Sequence, residues 1–327
     1  MNDSNESDDS NRGRGHGSVR GSIVVVAKCP IPGKSKTRLI PLMGEEGSVR
    51  MAKAMLSDVL KTIDGCAELD SVRKILLYAP GTDEGLKRMQ TLVAELGLVT
   101  EAEPGCESTG GGKESWNLLA MASSPSDLKS HVLGTKLEDA LVRVRALDRQ
   151  LRPPNGVVFL GMDAPILPLN DIVEGLERAA GETAAATLCP ALDGGYAMLC
   201  VPGSADPART FSSVCWSHPM TGMSQIKALT DRGIPTVVGK AVRDIDEAGD
   251  VEELCRLLQK ESRAPDSPPH GSDRRTKNLE EPGKWSSRCT AGDNGVSSSH
   301  PVCHYTRRAL VEAGLVAEHE TGGSLDE

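Results

Sequence analysis

Two short apolar runs constrain the fold of this chain most: Ser22–Ala27 (SIVVVA) and Val157–Gly161 (VVFLG). Each is continuous rather than alternating. That is the pattern of a strand buried on both faces, and such strands belong to parallel sheets covered by helices on either side. Between the runs the apolar period changes to that of a helix. Met51, Met55, Val59 and Ile63 share one face of a helix expected over Ser48–Ile63, and Leu86, Met89, Leu92, Val93 and Leu96 share one over Asp83–Leu96. Further strands are expected at Val72–Tyr78, Ala184–Cys189, Tyr196–Val201 and Thr236–Val238, and further helices at Leu133–Leu151, Asp171–Ala179, Thr221–Arg232 and Asp250–Leu258. Residues 100–130, rich in Gly and Ser around a lone Trp116, read as a loop or insertion. Strands alternating with helices of this length imply a three-layer α/β/α fold around a mostly parallel sheet.

The periodic signal is confined to residues 21–260, which makes one domain. Residues 1–20 hold almost no apolar side chains, and 261–327 are dominated by Ser, Pro, Gly and mixed charge. Neither stretch can offset the entropy of ordering, so both are expected to be disordered, and their deletion is expected to leave a cooperative domain. Residues 303–319 could form one amphipathic helix, with no partner evident. The net charge is −9 and no basic stripe is present, which argues against nucleic-acid binding. The longest apolar runs are far short of the ~20 residues of a membrane span. The nine cysteines include no C-x-x-C pair, and residues 1–20 carry no apolar leader; reduced thiols and a cytoplasmic location are expected. No obligate protein partner is evident.

In such sheets ligands bind beyond the carboxyl ends of the strands. The first strand runs into Lys28-Cys29-Pro30-Ile31-Pro32-Gly33-Lys34-Ser35-Lys36-Thr37-Arg38-Leu39, four cations in an otherwise acidic chain. Lysines supply point charges to phosphate, Arg38 a planar fork, Gly33 a turn or close approach, and Ser35 and Thr37 hydroxyl donors. Gly33-Lys34-Ser35 imitates the end of a Walker A loop. However, Lys28 stands where its first glycine belongs, and Pro30 and Pro32 remove two N–H donors. The alternative is a solvated charged loop.

Carboxylates stand at three other strand ends. Asp163 in Gly161-Met162-Asp163-Ala164-Pro165 could take part in holding Mg²⁺ or simply cap a turn before proline. Asp193-Gly194-Gly195 could border a ligand or be an ordinary hairpin. In Arg243-Asp244-Ile245-Asp246-Glu247-Ala248-Gly249-Asp250, alternation puts Asp244 and Asp246 on one face. Asp250 begins a helix, where a negative charge suits the dipole whatever the function.

Together these segments resemble the nucleotide-diphospho-sugar transferase (GT-A) superfamily, in particular the bacterial-type selenodomain-associated transferases labelled glycosyltransferases. The family pattern K-x-P-x-P-G-x-x-K-T-R-L is met by Lys28, Pro30, Pro32, Gly33, Lys36, Thr37, Arg38 and Leu39. Its G-x-D-x-P is met by Gly161, Asp163 and Pro165, its D-G-G-Y by Asp193–Tyr196, its W-S by Trp216-Ser217, and its closing acids by Asp244, Asp246 and Asp250. The likeness spans about residues 22–260. His218 replaces the usual small residue, and Glu247-Ala248-Gly249 the usual Thr-Pro-Glu. Wider relatives include molybdopterin and 2-phospholactate guanylyltransferases and sugar-nucleotide synthetases.

The resemblance implies a GT-A fold and an Mg²⁺- or Mn²⁺-dependent transferase using a nucleotide donor. Asp163 and Asp246 would hold the metal. Lys28, Gly33, Lys34, Lys36, Thr37 and Arg38 would bind the nucleotide phosphates, and Asp193, Gly194, Gly195 and Trp216 would border the acceptor. Lys36, Arg38, Asp163 and Asp193 would act in catalysis. The basic loop favours nucleotidyl transfer to a small phosphorylated acceptor with pyrophosphate release; glycosyl transfer from a nucleotide sugar and a non-catalytic nucleotide-binding module are the alternatives. A zinc site in the tail (Cys289, His300, Cys303, His304) has no standard spacing, and His218 as a base has no identifiable partner.

Overall fold

The computed structural model describes residues 19–100, 115–122, 132–147, 155–166, 169–261 and 303–316. Among these residues seven strands form one sheet: β1 (Ser22–Lys28), β2 (Arg73–Ala79), β3 (Trp116–Ala120), β4 (Val157–Gly161), β5 (Ala186–Pro190), β6 (Tyr196–Val201) and β7 (Thr236–Val238). Their order across the sheet is β3-β2-β1-β4-β6-β5-β7. All neighbours pair in parallel except β6, which runs against both β4 and β5. The sheet is thus mostly parallel, with helices on both faces.

The central strand shows why its sequence is continuously apolar. Ile23, Val25 and Ala27 point into one core layer, beneath α1 (Ile40–Asp64), α2 (Asp83–Glu95) and α4 (Leu169–Ala180). Val24 points into the other, against Leu137, Ala140, Leu141 and Val144 of α3 (Val132–Leu147). That second layer continues with Phe211, just past the short α5 (Pro207–Thr210), and Leu229 of α6 (Thr221–Thr230). α7 (Ala248–Glu261) closes the domain.

Two expectations need correction. Residues 100–130 are not only loop: Trp116–Ala120 adds the edge strand β3 to β2, and Trp116 is buried at 1% exposure. The helix expected over Ser48–Ile63 begins eight residues earlier, at Ile40, and is broken at Gly44, whose φ of 71° and ψ of 174° depart from helix. Glycine adopts this positive φ without a Cβ penalty.

The amphipathic segment near the C-terminus does find a partner. Helix α8 (His304–Glu312) packs on α1 and α7, with Cys303, Leu310 and Val316 in one cluster with Met51, Met55, Leu254 and Leu258. The backbone amides of Tyr305 and Thr306 donate to the two carboxylate oxygens of Asp58 at 2.9 and 2.7 Å. Burial raises the Asp58 carboxyl above its ordinary range, against the opposing pull of those hydrogen bonds. Residues 303–327 are therefore expected to contribute to stability. Their removal should lower the melting temperature, by roughly 2–4 °C for each kcal/mol of docking energy lost. A calorimetric scan that leaves the midpoint unmoved would show α8 to be energetically idle. The remainder of both tails, including Cys289 and His300, lies outside the described residues.

Candidate active site

The loop after β1 is braced from within. The Ser35 hydroxyl donates to the Cys29 carbonyl at 2.9 Å and accepts from the Ile31 amide at the same distance. Ser35 is buried, so it holds the loop's shape and is not the phosphate donor expected from sequence. The amides of Lys34 and Ser35 both turn inward to the Ile31 carbonyl, so they do not form the outward-facing nest of a Walker A loop. Gly33, at a φ of 67°, makes the turn. Lys36 follows with φ 48° and ψ 46°, a left-handed conformation that a lysine rarely adopts and that marks a position held by its surroundings. Lys28, Lys34, Thr37 and Arg38 remain exposed.

A second segment is tied to the end of β4. The Ile245 amide donates to the Asp163 carbonyl at 2.9 Å, which brings Asp246 alongside Asp163 across more than eighty residues of sequence. Asp250, in the first turn of α7, accepts from the amides of Asp246 and Glu247 at 3.2 and 2.9 Å and pairs with Arg243 at 3.3 Å. Bonding back to the residue just before the helix is half of a capping box, so Asp250 shapes this segment.

The two segments meet through Lys36. Its ammonium lies 2.7 Å from Asp163 Oδ1 and 2.6 Å from Asp246 Oδ1. The Lys36 side chain is only 8% exposed, while the two aspartates keep 40% and 43%. Beside this group Arg38 pairs with Glu247 at 3.2 Å, both well exposed. Asp244, whose sequence pattern alone implies no role, lies close to this centre. Burial chiefly, and then the charge of Asp193, push its carboxyl up to about 6.

Asp193, Gly194 and Gly195, which the resemblance places at the acceptor, form the turn before β6, and Trp216 precedes α6. Asp193 Oδ1 accepts from the Gly195 amide at 2.7 Å, an Asx turn. Gly194, at a φ of 91°, lies so close to α6 that a Cβ would fall 1.9 Å from the Pro219 carbonyl oxygen. The Gly222 amide donates to the Gly194 carbonyl at 2.9 Å, which fixes the α6 start against this loop. Trp216 packs against Tyr196 and Phe211, its ring centroid 6.4 Å from each. With Gly134, Thr135, Glu138, Ser212 and Ser213 it lines a cavity of about 270 Å³. His218 Nδ1 accepts from the Met220 amide at 3.1 Å, which uses this nitrogen in the turn before α6.

The donor set can be tested against a divalent cation. Among the described residues no group of three or more His, Cys, Asp or Glu could hold a metal. Mg²⁺ needs only one or two carboxylates when substrate phosphates complete its shell. Asp163 and Asp246 already converge on one cation, so the pair fits a metal that arrives with a nucleotide.

Residues 111–218 match the family described as "Uncharacterized protein conserved in bacteria (DUF2064)". A protein of Desulfovibrio desulfuricans G20, assigned to the nucleotide-diphospho-sugar transferases, superposes with a TM-score of 0.57 at 20% identity, over 74% of this chain and 89% of that one. The fold is that of the nucleotide-diphospho-sugar transferases. Two further solved structures are less similar. A 4-diphosphocytidyl-2C-methyl-D-erythritol synthase of Anaerococcus prevotii gives 0.42 at 11% identity, over 73% of this chain and 96% of its own. A mannosyltransferase of Pyrobaculum calidifontis, in complex with GDP-Man and Mn²⁺, gives 0.37 at 12% identity, over 76% and 66%. No curated protein matches the sequence. No helix among the described residues is long and apolar enough to cross a membrane.

Proposed function

We propose that the chain is a transferase acting on a nucleotide donor, with nucleotidyl transfer to a small phosphorylated acceptor as the reaction. The observation that carries this reading is the meeting of Lys36, Asp163 and Asp246 at the carboxyl edge of the parallel strands β1 and β4, beneath an exposed basic loop. Lys28, Lys34, Thr37 and Arg38 would bind the phosphates of the donor. Lys36 would join them, and Asp163 with Asp246 would hold Mg²⁺ or Mn²⁺. A bound divalent cation would screen the charge that builds on the departing phosphates. The loop cations would add to that screening, and such preorganised charge is the main source of rate in phosphoryl chemistry.

Asp193 and Trp216 would border the acceptor, with Gly194 and Gly195 shaping the turn that Pro219 packs against. Glycosyl transfer is the second reading, favoured by the side-by-side placement of Asp244 and Asp246. A cytoplasmic location and the absence of an obligate partner belong to the same proposal.

The product separates the two chemistries. Wild-type protein incubated with Mg²⁺ and a panel of nucleoside triphosphates and nucleotide sugars is expected to release pyrophosphate from a triphosphate in the presence of sugar phosphates. Release of nucleoside diphosphate from a nucleotide sugar would establish the glycosyl reading instead. Arg38→Ala and Lys34→Ala should each weaken nucleotide binding about ten- to a hundredfold, the worth of one charge-assisted contact at ~1.5–3 kcal/mol. Unchanged affinity in both variants by calorimetry would remove the loop from the site.

A further inference from the structure

Lys36 stands where a metal would. Its ammonium touches one oxygen of Asp163 and one of Asp246 at 2.7 and 2.6 Å. A divalent cation held by this pair would need those oxygens at ~2.0–2.1 Å for Mg²⁺, so the two cations cannot share the place. Building on the nucleotide-site reading above, we propose that Lys36 is a removable internal cation. In the free protein it occupies the point between Asp163 and Asp246, so metal is admitted only when nucleotide phosphates draw the ammonium away.

Three features of the structure support this exchange. The first is that the backbone at Lys36 is held by its neighbours, so an exchange of partners need move only the side chain. The left-handed φ and ψ, the Leu39 amide bonded to the Lys36 carbonyl at 2.9 Å and the buried Ser35 brace hold the Cα in place. A lysine stem has four rotatable carbons and a compact head with three donors, so it can turn from carboxylate to phosphate without moving the loop.

The second feature is charge. Two carboxylates and one ammonium leave a net charge of −1, and the aspartates are each about two-fifths exposed. A metal ion arriving alone must therefore displace a salt-bridged lysine and leave that cation buried without a partner, a costly state. A metal ion arriving with polyphosphate leaves Lys36 a new anionic partner.

The third is the rest of the loop. Arg38 is likewise paired to the acidic segment, through Glu247. Lys28 and Lys34 make no ion pair with an acid of the described residues and are exposed, so they are positioned to meet the phosphates first. The consequence is positive coupling between metal and nucleotide, located in one side chain. Coupling between sites commonly amounts to about 5–150-fold in affinity and is reciprocal.

The test is a Mn²⁺ titration of the full chain, read from the electron paramagnetic resonance signal of free Mn²⁺, first without nucleotide and then with CTP or GTP. Lys36→Met is expected to bind Mn²⁺ alone more tightly than wild type, by a factor within the ~5–150 range. It should also lose most of the enhancement that nucleotide gives the wild type. Lys36→Gln, which keeps a polar head, serves as the second variant should the methionine form fail to fold. Adding Asp246→Asn should abolish the gain, which places it at this pair.

If both Lys36 variants bind Mn²⁺ alone no more tightly than wild type, Lys36 is only a phosphate ligand and the proposal is overturned. The nucleotide-site reading would then stand, provided the wild type still takes up Mn²⁺ with nucleotide. A wild type that takes up Mn²⁺ with neither CTP nor GTP removes both.

Discussion

Trp116→Ala is expected to cost about 3–5 kcal/mol of stability, the range for removing a large aromatic from a packed core. Trp116 begins the edge strand β3 and is buried at 1% exposure among Leu76, Val93 and Leu98. Its amide donates to the Val99 carbonyl at 2.7 Å, and its indole N–H donates to Asp64 at 3.3 Å. The substitution therefore removes apolar contact and leaves the Asp64 carboxylate without that donor. The melting temperature of a domain this size should fall by roughly 10 °C, at 2–4 °C per kcal/mol. Nucleotide affinity measured well below the new midpoint should be unchanged, because β3 is an edge strand separated from β1 and β4 by β2. A shift of less than about 2 °C would mean that β3 is not part of the cooperative fold.

Asp163→Asn and Asp246→Asn are expected to have the largest effects on activity. If the two carboxylates hold one cation against the donor phosphates, losing either one forfeits several kcal/mol of charge stabilisation. That corresponds to about 10²–10³ in kcat/KM. The double variant should be little worse than either single one, because groups acting as a unit are non-additive. Stability should move by under about 1 kcal/mol, since both aspartates are two-fifths exposed and their ion pairs with Lys36 are screened by solvent. Two unrelated turn aspartates would behave in the opposite way, with independent, additive losses. A double-mutant cycle on kcat/KM, with denaturant melts alongside, separates the two cases.

The fold was legible where periodicity and burial agree. Ser22–Ala27 and Val157–Gly161 are buried on both faces, so their side chains admit no polar alternation and name themselves as parallel strands. β3 was hidden because its five residues sit in a Gly- and Ser-rich stretch and its pattern is too short to stand out. The early start of α1 was hidden by Pro41 and Gly44, residues that usually punctuate a helix rather than extend it. The partner of α8 was hidden because docking depends on Asp58, nearly 250 residues away, whose charge reads as surface.

At the candidate site the sequence supplied the residue types and the structure supplied their meetings. That Asp163 and Asp246 share a neighbourhood is what the family resemblance implied. That Lys36 bridges them was not implied, because a loop lysine carries no signal of where its side chain points. Ser35 misled for a related reason: a hydroxyl beside lysines reads as a phosphate donor, yet it is spent on the loop's own backbone. Asp244 was visible as sharing a face with Asp246, but its raised carboxyl depends on burial, which no spacing reveals.

The central claim is that nucleotide phosphates bind beneath the basic loop, against the Asp163 and Asp246 pair. Calorimetric titration of the four nucleoside triphosphates and of GDP-mannose into the full chain, with and without Mg²⁺, tests it most directly. The account predicts that at least one binds, that Mg²⁺ strengthens it, and that Arg38→Ala and Asp246→Asn each weaken it tenfold or more, at about 1.4 kcal/mol per tenfold. Binding that ignores Mg²⁺ and both substitutions, or no binding of any of the five, would contradict it.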